Sequence, residues 1–229
     1  MGVFPPSRQL AFGGLVIGLL LCTGLRAKAQ SIPTYPAWWS SRGVLSGTTS
    51  NDFAVANQGQ AKNIAVAAVN ELNADLAQFG GAGNALNTLA IALTATSAQT
   101  SDYTAVNLGQ LKALTKPIYD RLILVGYGLQ PLTSGTAYPW VNSGNPPDDY
   151  ALANLGQLKY LFSFDVTHSS SSDGIPDWWA HKYFPGQTIS PTADPSGDGL
   201  TNYQNYEDGT NPILQVNPAV GLQVEILVQ

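Results

Sequence analysis

The chain has 229 residues, ten basic against fifteen acidic, and a formal net charge of −5. That balance argues against nucleic acid or an anionic membrane as partner, since both are bound through Lys and Arg. A single cysteine excludes a disulfide framework, and the length suffices for one sizeable core or two small ones.

The first 29 residues read as a secretory signal peptide. Arg8 precedes an apolar run from Leu10 to Leu25, and Ala27-Lys28-Ala29 offers a small-residue exit before Gln30. The run is short for a spanning helix, which needs about 20 residues. Cys22 lies inside it, behind Leu21, where a lipid-anchoring signal normally places a small residue. Cleavage after Ala29 removes Cys22, Arg8, Arg26 and Lys28 and leaves seven basic against fifteen acidic residues. The expected location is secreted or cell-surface, with the periplasm as the alternative, and no membrane span after the signal is removed.

Three segments then align without gaps: Asp52 to Lys62, Asp102 to Lys112 and Asp149 to Lys159. Their shared pattern is D-[FY]-x-x-[AV]-N-x-G-Q-[AL]-K. Asn followed three residues later by Gln is a capping-box pattern, so each motif should open a helix. After Asn57, helical spacing of Ile64, Ala65, Ala68, Leu72 and Leu76 predicts a helix ending at Gly80-Gly81. A further helix is expected over Asn84 to Leu93. After Asn107, the run Leu111, Leu114, Ile118, Leu122 and Val125 predicts another, kinked or restarted at Pro117. After Asn154 a short helix should reach Phe162. The motif reads first as a helix-start staple in which Phe53, Tyr103 or Tyr150 packs on the following helix. The competing reading is a polar Asn, Gln and Lys stripe that binds a glycan or peptide.

The segment Asp194 to Asn205 fits a twelve-residue calcium-loop frame. Asp194, Ser196 and Asp198 occupy positions 1, 3 and 5, Gly199 supplies the sharp turn, Leu200 a backbone carbonyl, and Asn202 position 9. Position 12, usually a bidentate carboxylate, is Asn205. Only two formal charges then face the dication, so the expected affinity is weak, about 10⁻⁴ to 10⁻³ M. Ser169 to Ala180 occupies the same frame in degraded form and is expected to be a metal-free turn; the alternative is that Asp173 and Asp177 complete a site shared with the second loop.

The N-x-G-Q-L-K motif, the run Lys116-Pro117-Ile118-Tyr119-Asp120-Arg121-Leu122 and the segment Asp149 to Asp165 resemble a repeat of secreted bacterial surface proteins. The two acidic loops resemble thrombospondin type 3 and dockerin calcium repeats. These resemblances imply a calcium-stabilised spacer or docking module and carry no defined activity.

No catalytic set stands out. His168 and His181 are the only histidines, and no H-E-x-x-H or G-x-S-x-G occurs. Trp38-Trp39 and Trp178-Trp179 read as core residues, with a sugar platform as the alternative; Trp140 is open between the two. The expected fold class is mainly α: a helical repeat region over 30–164, a small EF-hand-like calcium-loop module over 165–212, and a tail over 213–229 with a possible short strand. The expected function is a non-catalytic structural or adhesion protein that binds calcium weakly and meets a cell-surface glycan or another surface protein. A glycan-binding accessory module and a divergent hydrolase of glycosides or peptidoglycan are the alternatives. The hydrolase would need two carboxylates about 5–10 Å apart.

Overall fold

A computed structural model describes residues 35–45, 51–95, 100–127, 138–140 and 148–214. The signal segment and nearly all of the tail, including its alternating run, lie outside the described residues. The described residues are mainly helical, with no strand beyond single bridges. Seven α-helices follow in order: α1 Ala37–Ser41, α2 Gln58–Asp75, α3 Asn84–Thr94, α4 Leu108–Val125, α5 Leu155–Leu161, α6 Asp177–Tyr183 and α7 Asn202–Glu207.

The three motifs open α2, α4 and α5 as their sequences require. Asn57, Asn107 and Asn154 stand at the N-caps in extended backbone, and each accepts the N–H of the Gln three residues on. Each Gln returns the bond to the N-cap N–H. Two otherwise unpartnered donors per helix are thus met locally.

What the motifs do to one another organises the rest. Ala56, Val106 and Ala153, the residues before each N-cap, form a closed triangle of backbone hydrogen bonds. Ala56 N–H donates to Ala153 at 2.9 Å, Ala153 to Val106 at 2.9 Å, and Val106 to Ala56 at 3.0 Å. Antiparallel bridges Val55–Asn154, Asn57–Ala105 and Asn107–Leu152 flank it. The first helical N–H of each motif is taken by the next motif: Gln58 donates to Thr104, Leu108 to Ala151 and Leu155 to Ala54, all at 2.9 Å. The ion pairs run the same way round. Lys62 meets Asp102 at 2.5 Å, Lys112 meets Asp149 at 2.7 Å, and Lys159 meets Asp52 at 2.6 Å. The third pair closes a circuit across 107 residues of chain.

The motif glycine is needed for this approach. A Cβ on Gly109 would stand 3.0 Å from the Cβ of Asp149 and 3.2 Å from its carbonyl oxygen, and Gly59 and Gly156 meet Asp102 and Asp52 in the same way. Around the triangle the helices bury Ile64, Leu72, Leu111, Ile118, Leu122 and Leu158 almost completely. Helix α4 runs unbroken through Pro117. A proline inside a helix costs about 3 kcal/mol; here Thr115, Ile118 and Tyr119, on both sides of it, are buried and hold the helix in place.

The acidic-loop segment shares this core. Phe79 of the α2–α3 connection packs edge-on against Trp178, with ring centroids 5.2 Å apart. Segment 161–166 is stapled by side chains from three helices. Trp38 and Trp39 donate their indole N–H to the carbonyls of Phe164 and Phe162, Trp178 to Val166, and Tyr119 its hydroxyl to Leu161. Both tryptophan pairs are therefore core, as the sequence reading preferred.

Helix α2 stops at Asp75, ahead of a separate single turn at Ala77–Phe79, and does not run to Gly80-Gly81 as expected; the expected packing of the motif aromatics is overturned as well. Phe53, Tyr103 and Tyr150 do not pack on the following helices; they are 85%, 84% and 90% exposed. The Asp before each ring is drawn to a neighbouring motif's lysine, and the ring beside it is left in solvent.

Two consequences can be measured by thermal or urea unfolding. Gly109→Ala gains about 1 kcal/mol of helix propensity but overpacks Asp149, so a net loss of about 1–2 kcal/mol is expected. Tyr103→Ala and Tyr150→Ala, by contrast, should stay within about 0.5 kcal/mol of the parent.

Candidate functional site

The loop between Asp194 and Asn205 is built from short-range hydrogen bonds. Asp194 accepts the N–H groups of Gly197 and Gly199, one on each oxygen and both at 2.8 Å, and the hydroxyl of Ser196 at 3.2 Å. The N–H of Gly199 above all, with Gly197 and Ser196, holds its carboxyl below the ordinary range. Asp198 accepts the N–H of Leu200 on Oδ1 at 3.0 Å, while its Oδ2 is buried without a donor among the described residues. Asn202 gives its amide to the carbonyl of Ser190 at 2.8 Å, and its Oδ1 is likewise buried and without a donor. Positions 5 and 9 of the frame therefore each present an unpaired oxygen. Among the described residues no three acidic, His or Cys side chains gather as a metal-binding group; this loop contributes two acids, the remainder of its oxygens being hydroxyl, amide and carbonyl.

Asn205 plays a different part. It is fully buried. Its Nδ2 donates to the carbonyls of Leu200 and Thr201, and its Oδ1 accepts the hydroxyl of Thr210 at 2.6 Å. The residue at position 12 thus fastens α7 to the loop and to the chain that follows. Thr201 and Gln204 add a fourth capping box at the start of α7, visible in the sequence as T-x-x-Q but hidden by reading those residues only as loop positions. Leu200 is half-buried.

The earlier loop is closed by its own side chains. Ser169 Oγ and the Ile175 N–H donate to Asp173 Oδ1, and the N–H and hydroxyl of Ser170 both donate to Asp177 Oδ1. Burial pushes the Asp173 carboxyl up, but the Ile175 N–H and the Ser171 and Ser169 hydroxyls outweigh it and leave the group below its ordinary value. Ile175 is buried. The loops adjoin at Gly174, where a Cβ would come within 2.9 Å of the Tyr203 ring.

Other candidate groups have structural partners. Asp149 is held by Lys112. His168 stands 3.6 Å from Asp177 with its side chain 65% exposed. Trp140 is half-buried, stacked on Tyr138 and edge-on to Tyr119. The composition gave no hint of a carboxyl pair on α2. Asp75, partly buried, is pushed up to about 7, first by burial and then by the hydrogen bond and charge of Glu71. Arg42, which pairs with Glu71, opposes the shift and Asp165 adds to it. No described helix is long and apolar enough to cross a membrane. No family model, curated protein or solved structure matches this chain.

The α2 carboxyl pair generates a pH prediction. The folded protein keeps a proton on Asp75 up to about pH 7, which the unfolded chain releases near 3.8, the ordinary value of an aspartate. The folded state binds more protons across that window, so this group's contribution to stability falls as pH rises from about 4 to 7. Asp75→Asn should flatten the melting profile between those limits and raise the melting temperature above pH 7.

Proposed function

We propose that this chain is an exported, non-catalytic structural or adhesion module of the secreted surface-repeat type. In this reading the three-motif ring is a rigid scaffold and the 194–205 loop is a weak calcium site. The carrying observation is how the repeated polar residues are used. Every motif Asn and Gln caps a helix, and every motif Asp and Lys pairs with a neighbouring motif. Polar side chains spent on holding motifs together suit a scaffold better than a reaction centre. The burial of Trp38 and Trp178 removes those two tryptophans as a sugar platform, and the pairing of Asp149 with Lys112 takes up one carboxylate a hydrolase would have used.

Calcium is supported by the donor chemistry of the loop. Asp198 Oδ2 and Asn202 Oδ1 are buried oxygens without donors, which a hard cation would satisfy. Asp194, Ser196 and the Leu200 carbonyl would complete the set, with Asn205 as the strut behind it. A cation there would join the loop to α7 and, through Tyr203, to the earlier loop. At about 2 mM calcium, an affinity of 10⁻⁴ to 10⁻³ M adds roughly 0.6–1.8 kcal/mol of stability.

Calorimetric titration of calcium into the purified protein and into Asp198→Ala tests this. Millimolar or tighter binding, lost in the variant and accompanied by a rise in melting temperature, is expected. Absence of heat and of thermal shift at several millimolar would remove calcium from the account. Turnover of a polysaccharide or peptidoglycan, abolished by one point substitution, would contradict the non-catalytic reading.

A further inference from the structure

A cleft of about 950 Å³ lies along α2, bounded by residues 41–44 after α1, by Leu93 and Thr94 at the end of α3, and by Asp102 and Tyr103 of the second motif. Its size is that of a ligand site. Three side-chain amides line it from one helix: Gln60, Asn63 and Asn70. Their spacing places them along one face, and Asn63 and Asn70 are separated by about 10 Å of helix rise. Asn63 and Asn70 are exposed, and their amides take part in no described hydrogen bond. Gln60 uses its Oε1 in the capping box, which leaves its NH₂ as a donor.

The charges in the cleft are neutralised within the protein. Arg42 is held by Glu71, and Lys62 by Asp102. At the rim stands Tyr103, 84% exposed. It belongs to the one motif position that keeps its chemistry in all three copies without any packing role. Amides with free donors and acceptors, no net charge, and one open aromatic face together match a neutral, polyhydroxylated chain: amides bond hydroxyl groups, and the ring covers the apolar C–H face of a sugar. An anionic ligand would find no unpaired cation here, and an apolar one would leave the amides unsatisfied.

We propose that this cleft binds a neutral oligosaccharide, with Tyr103 as the stacking platform and Asn63, Asn70 and Gln60 as the hydrogen-bonding wall. The proposal deepens the adhesion reading above by naming the class of surface ligand.

The test uses saturation-transfer NMR and calorimetry with cellohexaose, xylohexaose, maltohexaose and hexa-N-acetylchitohexaose, and an oligogalacturonate as the anionic control. At least one neutral hexasaccharide should bind at millimolar or tighter affinity, and the anionic oligomer should not bind. Tyr103→Ala should weaken binding roughly tenfold, equivalent to about 1.4 kcal/mol, and Asn63→Ala or Asn70→Ala a few-fold each. Tyr150→Ala, which removes the equivalent ring away from this cleft, should leave affinity unchanged. Failure of every neutral oligomer, binding of the anionic one alone, or equal losses in Tyr150→Ala and Tyr103→Ala would overturn the proposal. Cleavage of the bound oligosaccharide would contradict the non-catalytic reading while leaving the site standing.

Discussion

A closed triangle of three backbone hydrogen bonds, Ala56 to Ala153 to Val106 and back, is the constraint on which the remainder of this structure depends. Each bond joins residues from different motifs, and each of the three residues is almost wholly buried. A buried backbone group without a partner costs about 1–3 kcal/mol, so none of the three motifs can leave without stranding donors and acceptors on the other two. The capping boxes keep the backbone extended at each N-cap, the glycines let the neighbouring Asp approach, and the lysines fix that Asp from the far side. The partly exposed pairs Lys62–Asp102 and Lys112–Asp149 contribute about 0–1 kcal/mol each, whereas Lys159 is buried and removing Asp52 would take this partner from a buried charge, at a cost of about 3–5 kcal/mol. Each Lys meets the Asp of the next motif, so together they add a second closed circuit to the one made by the backbone.

Closure also fixes what the rest of the chain must do. The third motif returns to the first over 107 residues, so the segments between motifs have to fold back rather than extend as an open solenoid. Helices α2 and α4 supply the core into which those returns pack. Segment 161–166 leaves α5 and is captured by the three indole donors and Tyr119, which places the acidic loops against the same core. The chemistry left over lies at the edges of the ring: the exposed aromatic of each motif, the amide-lined cleft beside Tyr103, and the loop with two oxygens unpaired among the described residues.

Sequence reading reached what is local. The N-caps, the Gln partners, the helix end near Phe162 and the buried tryptophans all follow from spacing and residue type over a few positions. It did not reach what is shared between motifs. The Asp and Lys of one motif read as its own, but each finds its partner in a neighbouring copy, a pairing that no within-motif spacing encodes. The aromatic position failed for the same reason: an apolar residue near an N-cap reads as a staple onto its own helix, whereas the Asp beside it is pulled toward another copy. Pro117 shows tertiary burial overriding a local break signal. Asn205 was legible as a departure from a carboxylate, but its bond to Thr210 depends on a turn five residues later. The Asp75–Glu71 pair was visible only as an i, i+4 repetition of acids, and burial gives it its altered proton affinity.

The most direct test of the ring is native-state hydrogen exchange at the amides of Ala56, Val106 and Ala153. If the three motifs form one closed unit, these N–H groups exchange only through global unfolding, with the same opening free energy and the same urea dependence. If instead Ala153 exchanges far faster than Ala56 and Val106, with a small urea dependence of its own, the third motif opens independently and the closed ring is not what holds this fold together.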